Sequence, residues 1–460
     1  MRQPVHVVYG GAQLFKADTT RKLGRLAERL LAEYAPDATA LAEVLDLPRD
    51  LAPTVYSRVV EKLKREPVED YRIDYEDGYG IRADDEEDAA VDSAVDQLQK
   101  GIDEESLPPF IGFRVKSLSP ETRARALRTL QRFLSKAHKL PEDFVVTLPK
   151  ITARREVEEF MAVLGAYPDI GIELMIETPY SLMNLDELVD ITQGRCVGAH
   201  FGPYDYTSLI GITSHNQSLL HPACDFARSM ILMKLAGTGI AVSDGPTPIM
   251  PLSVHRGDAL TAAQIAENRD AVHKAWKLHY KQVRAALYNG IYQGWDLHPG
   301  QFPIRYAAVY SFFLEGLNAA SERLRNLMAK AVQSTRVGNV FDDAATGQGL
   351  LNYFLRAMSC GAIPENEIPA LSGRTRVFRE SLSETCKFFP FGNAFAYRSQ
   401  TLLHCGVILD FTSLKKNMTR MALLNNCSLI STSNFIQSYD VITRWRTQRF
   451  TNFTGFKFDY

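Results

Sequence analysis

The sequence predicts an α/β protein built on a (β/α)8 TIM barrel, with an N-terminal helical decoration and a C-terminal helical extension. Eight short apolar segments alternate with helix-like segments between residues 5 and 310, which is the order that this barrel requires. The strand-like segments are continuously rich in Val, Ile, Phe and Leu, as in parallel strands covered on both faces. Polar or charged residues end seven of the eight segments, at the edge where this fold places its sites. A doubly wound open sheet is the alternative.

The strands are predicted at residues 5–10, 70–76, 110–115, 143–149, 171–177, 196–202, 239–244 and 294–298. Helix-like stretches lie between them, at residues 120–139, 154–164, 185–192 and 224–235. Ser119 precedes Pro120 and Glu121, which predicts an N-cap at Ser119 and a helix that starts at once. The first connection, residues 11–68, carries two or three helical segments and predicts a decoration after the first strand.

Three regions follow from these patterns. Residues 1–310 are predicted to form the barrel domain, and residues 311–373 a helical extension with a break at Gly347. From residue 374 the helical period is lost and Ser, Thr, Asn and Phe become frequent. We therefore predict that residues 374–460 form a poorly ordered or aberrant tail.

Composition excludes several classes of partner. The chain has 460 residues, with 52 basic against 54 acidic side chains and 45% hydrophobic residues, so neither a nucleic-acid nor a membrane partner is expected. No apolar run approaches the roughly 18 residues that a membrane span needs. The six cysteines show no CxxC spacing, and the first ten residues lack a long apolar segment. We expect a cytoplasmic homo-oligomer with reduced thiols.

Two carboxylates are the strongest candidates for a functional site. Glu177 ends the fifth predicted strand, and Asp205 follows the sixth. Carboxylates at the carboxyl ends of neighbouring barrel strands point into one mouth, where two of them can hold a Mg²⁺ ion that keeps several waters. The alternative is that both residues cap the helices that follow them.

Other strand ends carry groups that are capable of chemistry. Asp74, Glu76 and Asp77 end the second strand, Arg114 lies on the third, Lys150 follows the fourth, Asp244 ends the seventh and His298 ends the eighth. In a barrel all of these residues converge on one face. Their convergence predicts a functional mouth more strongly than any single residue does.

The ordered set of motifs resembles a known family. Pro149-Lys150, Ile176-Glu177-Thr178, Phe201-Gly202-Pro203-x-Asp205 and His298-Pro299-x-Gln301 look like the HpcH/HpaI aldolase and citrate lyase β-subunit family. That family lies in the phosphoenolpyruvate/pyruvate-binding barrel superfamily. Asp74-x-Glu76-Asp77 with the later Arg114 strand fits its citrate lyase branch. The resemblance covers roughly residues 5–310 and marks a divergent aldolase-like member.

The resemblance implies a carbon–carbon lyase or aldolase that acts on a small 2-oxo acid or related carboxylate through a metal-stabilised enolate. Mg²⁺, with Mn²⁺ as an alternative, is expected on Glu177 and Asp205. The implied substrate ligands are Arg114, Lys150, Gly202, Pro203 and Asp205. The sequence leaves open whether Arg114 forms a salt bridge inside the barrel and whether Lys150 is a substrate ligand or the partner of Glu76.

The proton carrier is the least determined role, since general acid/base work needs a group within hydrogen-bond reach of the reacting centre. Asp244, Glu76 and His298 are the candidates, and Asp244 is favoured among them because it lies at a strand end where it could face the substrate methyl group. His298 is expected to orient the mouth. Arg114, Asp244 and Glu76 are therefore the predicted catalytic residues.

Departures from the family pattern leave other functions open. Residues 84–88 are strongly acidic where relatives that cleave acyl-CoA carry basic residues, which disfavours a CoA thioester substrate. A catalytically idle barrel that binds metal and oxo acid in a regulatory role is one alternative. A malate-synthase-like condensing enzyme is another. His215 and His221 are interpreted as part of a loop, and Asp225 with Arg228 as an ion pair.

Overall fold

Eight parallel strands close into a barrel in the computed structural model of the chain, which describes residues 2–257, 259–333 and 344–364. Each strand pairs with the next in sequence, and the last pairs with the first. This closure confirms the predicted TIM barrel and excludes the open sheet. The strands are β1 (His6–Gly11), β2 (Asp70–Asp74), β3 (Phe110–Arg114), β4 (Val145–Leu148), β5 (Gly171–Ile176), β6 (Cys196–Phe201), β7 (Ala241–Asp244) and β8 (Gln293–Trp295).

Helices cover the outside of the barrel. They are α1 (Thr19–Tyr34), α2 (Ala38–Leu45), α3 (Ala52–Arg65), α4 (Asp84–Asp103), α5 (Arg123–Lys136), α6 (Arg154–Leu164), α7 (Pro179–Met183), α8 (Leu185–Ile191), α9 (Pro203–Leu209), α10 (Pro222–Leu235), α11 (Ala262–Tyr288), α12 (Phe302–Gln333) and α13 (Ala344–Ser359). Helices α1, α2 and α3 form the decoration that the long first connection predicts.

The predicted start of the α5 helix is wrong. The helix begins at Arg123 with Thr122 at the N-cap, not after Ser119. The carbonyl of Ser119 instead accepts hydrogen bonds from the amides of Thr122 and Arg123, at 3.1 and 2.8 Å. Residues 119–122 therefore form a turn, closed by the Ser119 carbonyl, that precedes the helix.

The C-terminal helix α13 packs against α12 and the main apolar core. The side chains of Leu350 and Phe354 on α13 lie against Ala320 and Leu324 on α12, and the end of α13 joins the main apolar core. The backbone of α13 is helical from Ala344, so the predicted break at Gly347 is wrong. Helix α12 runs across residue 310, and the domain division there stays a prediction. The predicted tail, residues 374–460, lies outside the described residues.

The apolar core lies between the strands and the helices. Phe113 of β3 stacks on Phe133 of α5 with ring centroids 4.2 Å apart, and Phe144 packs beside both. Burying an aromatic side chain of this kind contributes about 1.5–3 kcal/mol. Among the described helices, none is long and apolar enough to cross a membrane. The core thus fixes the strands, and their carboxyl ends hold the polar groups described next.

Candidate active site

Five carboxylates and two cations meet at the carboxyl ends of β2 to β6. We call this set the mouth cluster; it consists of Asp74, Glu76, Asp77, Arg114, Lys150, Glu177 and Asp205. Acidic groups outnumber basic ones in it. A cluster of this composition attracts a further cation.

Asp74 organises the loop that follows β2. Its carboxylate accepts hydrogen bonds from the amides of Glu76 and Gly78, at 3.0 and 2.7 Å. The same two oxygens accept from Nε and Nη2 of Arg114, at 2.7 and 2.6 Å. A Cβ atom at Gly78 would come within 2.7 Å of the Asp74 carboxylate, so glycine is required by this close approach. One buried carboxylate thereby positions both the loop and the arginine.

Arg114 is buried and held on several sides. Its guanidinium lies over the rings of Tyr9 and Trp295, with 4.8 and 5.4 Å to the ring centroids. Nη1 lies 2.9 Å from Oε2 of Glu76. The salt bridges inside the barrel to Asp74 and Glu76, one of the two interpretations left open by the sequence, are therefore present. They fix the orientation of the charge that faces the mouth.

Lys150 follows β4 in the left-handed backbone region, with φ of 50°. Its amide donates to Oε1 of Glu177 at 2.6 Å. Its ammonium forms an ion pair with Glu76 and lies 3.1 Å from Asp77 and 3.9 Å from Asp205. The partnership with Glu76 is thus present in the structure, and binding of substrate by Lys150 stays a prediction.

The two predicted metal ligands differ in exposure. Glu177 is 2% exposed, whereas the side chain of Asp205 is 46% exposed. The N-cap of α7 is Thr178, whose Oγ1 accepts from the Ser181 amide at 2.9 Å, so Glu177 does not cap that helix. Asp205 lies in the first turn of α9, where a negative charge is favoured by the helix dipole. The helix-start alternative therefore fails for Glu177, whereas the position of Asp205 agrees with it.

Gly202 and Pro203 shape the space around Glu177. A Cβ atom at Gly202 would lie 2.4 Å from Cβ and 2.5 Å from Oε2 of Glu177. Pro203 is the first residue of α9, where a missing amide proton costs nothing. The Phe-Gly-Pro motif thus leaves room for a buried carboxylate and starts the helix that carries Asp205.

Burial and like charges alter the acidity of the mouth. Burial raises the pKa of Glu177 to about 8, with Asp205 and Glu76 adding to the shift against the opposing effect of Lys150. Burial likewise raises the pKa of Glu76 to about 7, although Arg114 and Lys150 oppose the shift. A cation that bound here would restore the ionised carboxylates.

Asp244 and His298 have structural partners. Both oxygens of Asp244 accept from Nε of Arg228, at 3.0 and 3.1 Å, and the Gly245 amide donates to it at 3.0 Å. Arg228 also pairs with Asp225 at 3.0 Å, which confirms the predicted ion pair. Nδ1 of His298 accepts from the Gly300 amide at 3.1 Å. Asp244 is therefore held by Arg228 of α10, and His298 caps the turn that follows it.

A polar network below Arg114 was missed by sequence reasoning. The Tyr9 hydroxyl donates to Glu173 at 2.9 Å and lies 3.1 Å from Nδ1 of His200. Because that hydroxyl proton goes to Glu173, Nδ1–H of His200 is the donor to the Tyr9 oxygen. Burial lowers the pKa of His200 to about 4, so its ring is neutral. A signal existed: Glu173 lies four residues before Glu177, hence on the same face of β5.

The donor set of the mouth fits a hard divalent cation. Mg²⁺ prefers oxygen ligands and is commonly held by one or two carboxylates while it keeps several waters. Glu177 is buried in the space that Gly202 leaves, and Asp205 faces solvent, so the pair leaves positions for water and substrate. Within residues 2–257, 259–333 and 344–364, no group of three or more His, Cys, Asp or Glu residues is arranged to hold a metal ion. Metal binding by the pair Glu177 and Asp205 stays a prediction.

Comparison with known proteins gives a family. The family model described as a domain of unknown function, DUF6986, matches residues 1–386, and the chain belongs to this family. No curated protein has a sequence that matches the chain.

Solved structures provide more distant similarities. A citrate lyase from Burkholderia xenovorans is 20% identical, with 67% of this chain and 89% of that chain covered and a TM-score of 0.49. The citrate lyase β subunit from Mycobacterium tuberculosis, complexed with oxaloacetate and magnesium, is 16% identical over 66% of this chain and 96% of its own, with a TM-score of 0.39. The CitE protein of that organism, with magnesium, acetoacetate and coenzyme A, is 16% identical over 76% and 97%, with a TM-score of 0.44.

Proposed function

We propose that this member of the DUF6986 family is a Mg²⁺-dependent carbon–carbon lyase or aldolase that acts on a small 2-oxo acid through an enolate. One observation carries the proposal. Glu177, Asp205 and Arg114, which the sequence motifs single out, belong to one mouth cluster with an excess of carboxylates.

Glu177 and Asp205 are the residues that would hold the metal ion. Bound there, Mg²⁺ supplies Lewis-acid charge that stabilises negative charge on the keto oxygen of the substrate. The Lys150 amide orients Glu177 by its 2.6 Å hydrogen bond. The excess of acidic groups around both ligands supports a cation rather than an anion as the first species to bind.

Arg114 and Lys150 are the cations that would contact the substrate carboxylate. Arg114 keeps a fixed charge because guanidinium groups do not titrate in proteins, and the rings of Tyr9 and Trp295 hold it in place. Lys150 is partly exposed and carries a flexible side chain. We propose that Arg114 provides the fixed positive charge and Lys150 the adjustable contact.

Glu76 is the favoured proton carrier. Its pKa of about 7 lies where a group can both accept and donate a proton near neutrality, and it adjoins Arg114 and Lys150. Asp244, the alternative, is engaged by the buried Arg228 at 3.0 Å. In cleavage, Glu76 would take the hydroxyl proton of the substrate; in the reverse direction it would return that proton.

The exposed surface next to the mouth favours a free acid over a CoA thioester. Helix α4 begins shortly after the loop that follows β2, and its first residues Asp84, Asp85 and Glu86 are exposed. Their charges would repel the phosphates of a nucleotide cofactor. We therefore propose that the substrate is a small 2-oxo acid or its aldol adduct that is not linked to CoA.

A barrel that binds metal and oxo acid without turnover is the second candidate. One observation favours it: Arg114 and Lys150 both make ion pairs with acids of the mouth cluster, which competes with substrate binding. The two candidates share a binding site and differ in whether a bond to carbon is made or broken.

Calorimetric titration of pyruvate and oxaloacetate, with and without Mg²⁺, tests the shared site. We expect binding that requires Mg²⁺ and that Glu177→Gln abolishes. Glu104→Gln, at the far end of α4, is the matched control and should bind like the wild type. Equal binding in the absence of Mg²⁺, or in Glu177→Gln, would show that these carboxylates serve another purpose.

A further inference from the structure

Lys150 contacts both proposed metal ligands, through two different parts of the residue. Its backbone amide donates to Glu177 at 2.6 Å, and its ammonium lies 3.9 Å from the Asp205 carboxylate. The inference drawn from this arrangement rests on the proposed function, because it concerns the same metal site.

The backbone of Lys150 is in a conformation that side-chain-bearing residues seldom adopt. Its φ of 50° lies in the left-handed region, which glycine tolerates and lysine does not favour. Such a conformation persists when the surroundings over-determine it. Here the amide is directed at Glu177 while the side chain reaches Glu76 and Asp77 across the mouth.

The ammonium occupies the place of a cation in the acidic mouth. It forms an ion pair with Glu76, lies 3.1 and 3.3 Å from the two oxygens of Asp77, and faces Asp205. A divalent ion on Glu177 and Asp205 would therefore meet a positive charge next to one of its own ligands. Like charges at such distances oppose each other strongly in a partly buried site.

We propose that Lys150 is an internal latch: its ammonium substitutes for the divalent cation in the cation-free mouth, and cation binding displaces it towards the carboxylate of the incoming substrate. On displacement the ammonium loses contacts with carboxylates of the mouth cluster and gains a contact with the substrate carboxylate. This side chain therefore adds to the positive coupling between metal and oxo acid, and the coupling is reciprocal.

Titration of Mg²⁺ into the full chain, with and without pyruvate, tests the latch. In the wild type we expect pyruvate to tighten Mg²⁺ binding. Lys150→Met keeps the backbone amide and most of the length of the side chain but removes the charge. It should bind Mg²⁺ alone roughly tenfold more tightly, and pyruvate should tighten its Mg²⁺ binding less than it does in the wild type.

Two further variants control for structure. Lys150→Arg keeps the charge and should retain the coupling. Lys150→Gly removes the charge and also relieves the backbone strain. It replaces Lys150→Met in the titration if the methionine variant does not fold, and the same Mg²⁺ binding is expected. Lys234→Met removes an ammonium that pairs with Asp186 on the outside of the barrel and should leave Mg²⁺ binding unchanged.

The outcomes separate the latch from the site itself. The latch is overturned if folded Lys150→Met binds Mg²⁺ no more tightly than the wild type. The proposed metal site stands in that case, provided that Glu177→Gln abolishes the Mg²⁺ binding seen in the wild type. Wild-type Mg²⁺ binding that survives in Glu177→Gln overturns the site. Absence of Mg²⁺ binding in both the wild type and Lys150→Met overturns both proposals.

Discussion

Replacing Gly202 by alanine should damage the mouth through one steric contact. The new Cβ atom would lie 2.4 Å from Cβ of Glu177, which is more than 1 Å short of the ordinary carbon–carbon contact of about 3.5–4.0 Å. The atom it meets is the first of the side chain and not a flexible end, so Glu177 and β5 must move. The φ of Gly202 is −103°, so alanine suffers no backbone penalty there.

The magnitude follows from this geometry. Overpacking of a buried site costs about 1–3 kcal/mol in free energy of unfolding. Displacement of Glu177 should also weaken Mg²⁺ binding by about tenfold or more, because 1.4 kcal/mol lost from the complex is a factor of ten. Urea denaturation measures the first quantity and calorimetric titration of Mg²⁺ measures the second.

A matched substitution is available as the control. A Cβ atom at Gly349, in α13, would meet no atom within 4 Å, so Gly349→Ala should be neutral or stabilise the helix by up to about 1 kcal/mol. Gly202→Ala protein that binds Mg²⁺ as tightly as the wild type would refute the argument that Gly202 makes room for a metal-binding carboxylate.

Three other substitutions or conditions have definite expected results. Asp74→Ala leaves the buried Arg114 without its two-oxygen partner and should lower the free energy of unfolding by about 3–5 kcal/mol; a loss below 1 kcal/mol in urea denaturation would contradict this. Because the pKa of Glu177 is raised to about 8 from 4.5, the cation-free protein should lose stability as pH rises between these values. Mg²⁺ binding should tighten over the same rise in pH and release a proton. Calorimetric titration in two buffers of different ionisation enthalpy measures this release, and equal binding enthalpies in the two buffers would contradict it. Glu76→Gln should abolish a rate dependence with a pKa near 7, whereas Asp244→Asn should mainly lower stability; the reverse pattern in pH–rate profiles and denaturation would make Asp244 the proton carrier.

The barrel could be predicted from the sequence because its signals are local. Continuous apolar runs mark strands covered on both faces, and all eight predicted strands agree with the structure to within three residues at either end. The N-cap at Ser119 failed for a local reason as well. Its backbone closes a turn before the helix, a competition that residue type alone does not decide.

The candidate site could be predicted only in part. Strand ends place Glu177, Asp205, Arg114 and Lys150 at one edge, and the structure brings these residues together. The engagement of Asp244 could not be foreseen, because its partner Arg228 comes from a helix whose rotation depends on packing.

The network around Tyr9 has a similar origin. Tyr9 on β1 and Glu173 on β5 are far apart in sequence and meet across the barrel interior. Their contact depends on the closure and tilt of the strands, which set the residues that share an interior layer. Sequence patterns indicate which residues point inward and not which of them meet.

Exchange of the methyl protons of pyruvate with solvent deuterium, followed by NMR, tests the central claim most directly. The claim predicts exchange that requires Mg²⁺, falls by about a hundredfold or more in Glu177→Gln, and continues at the wild-type rate in Glu104→Gln. Pyruvate that binds with Mg²⁺ but shows no exchange above the rate in buffer would contradict enolate chemistry and leave the barrel as a binding protein.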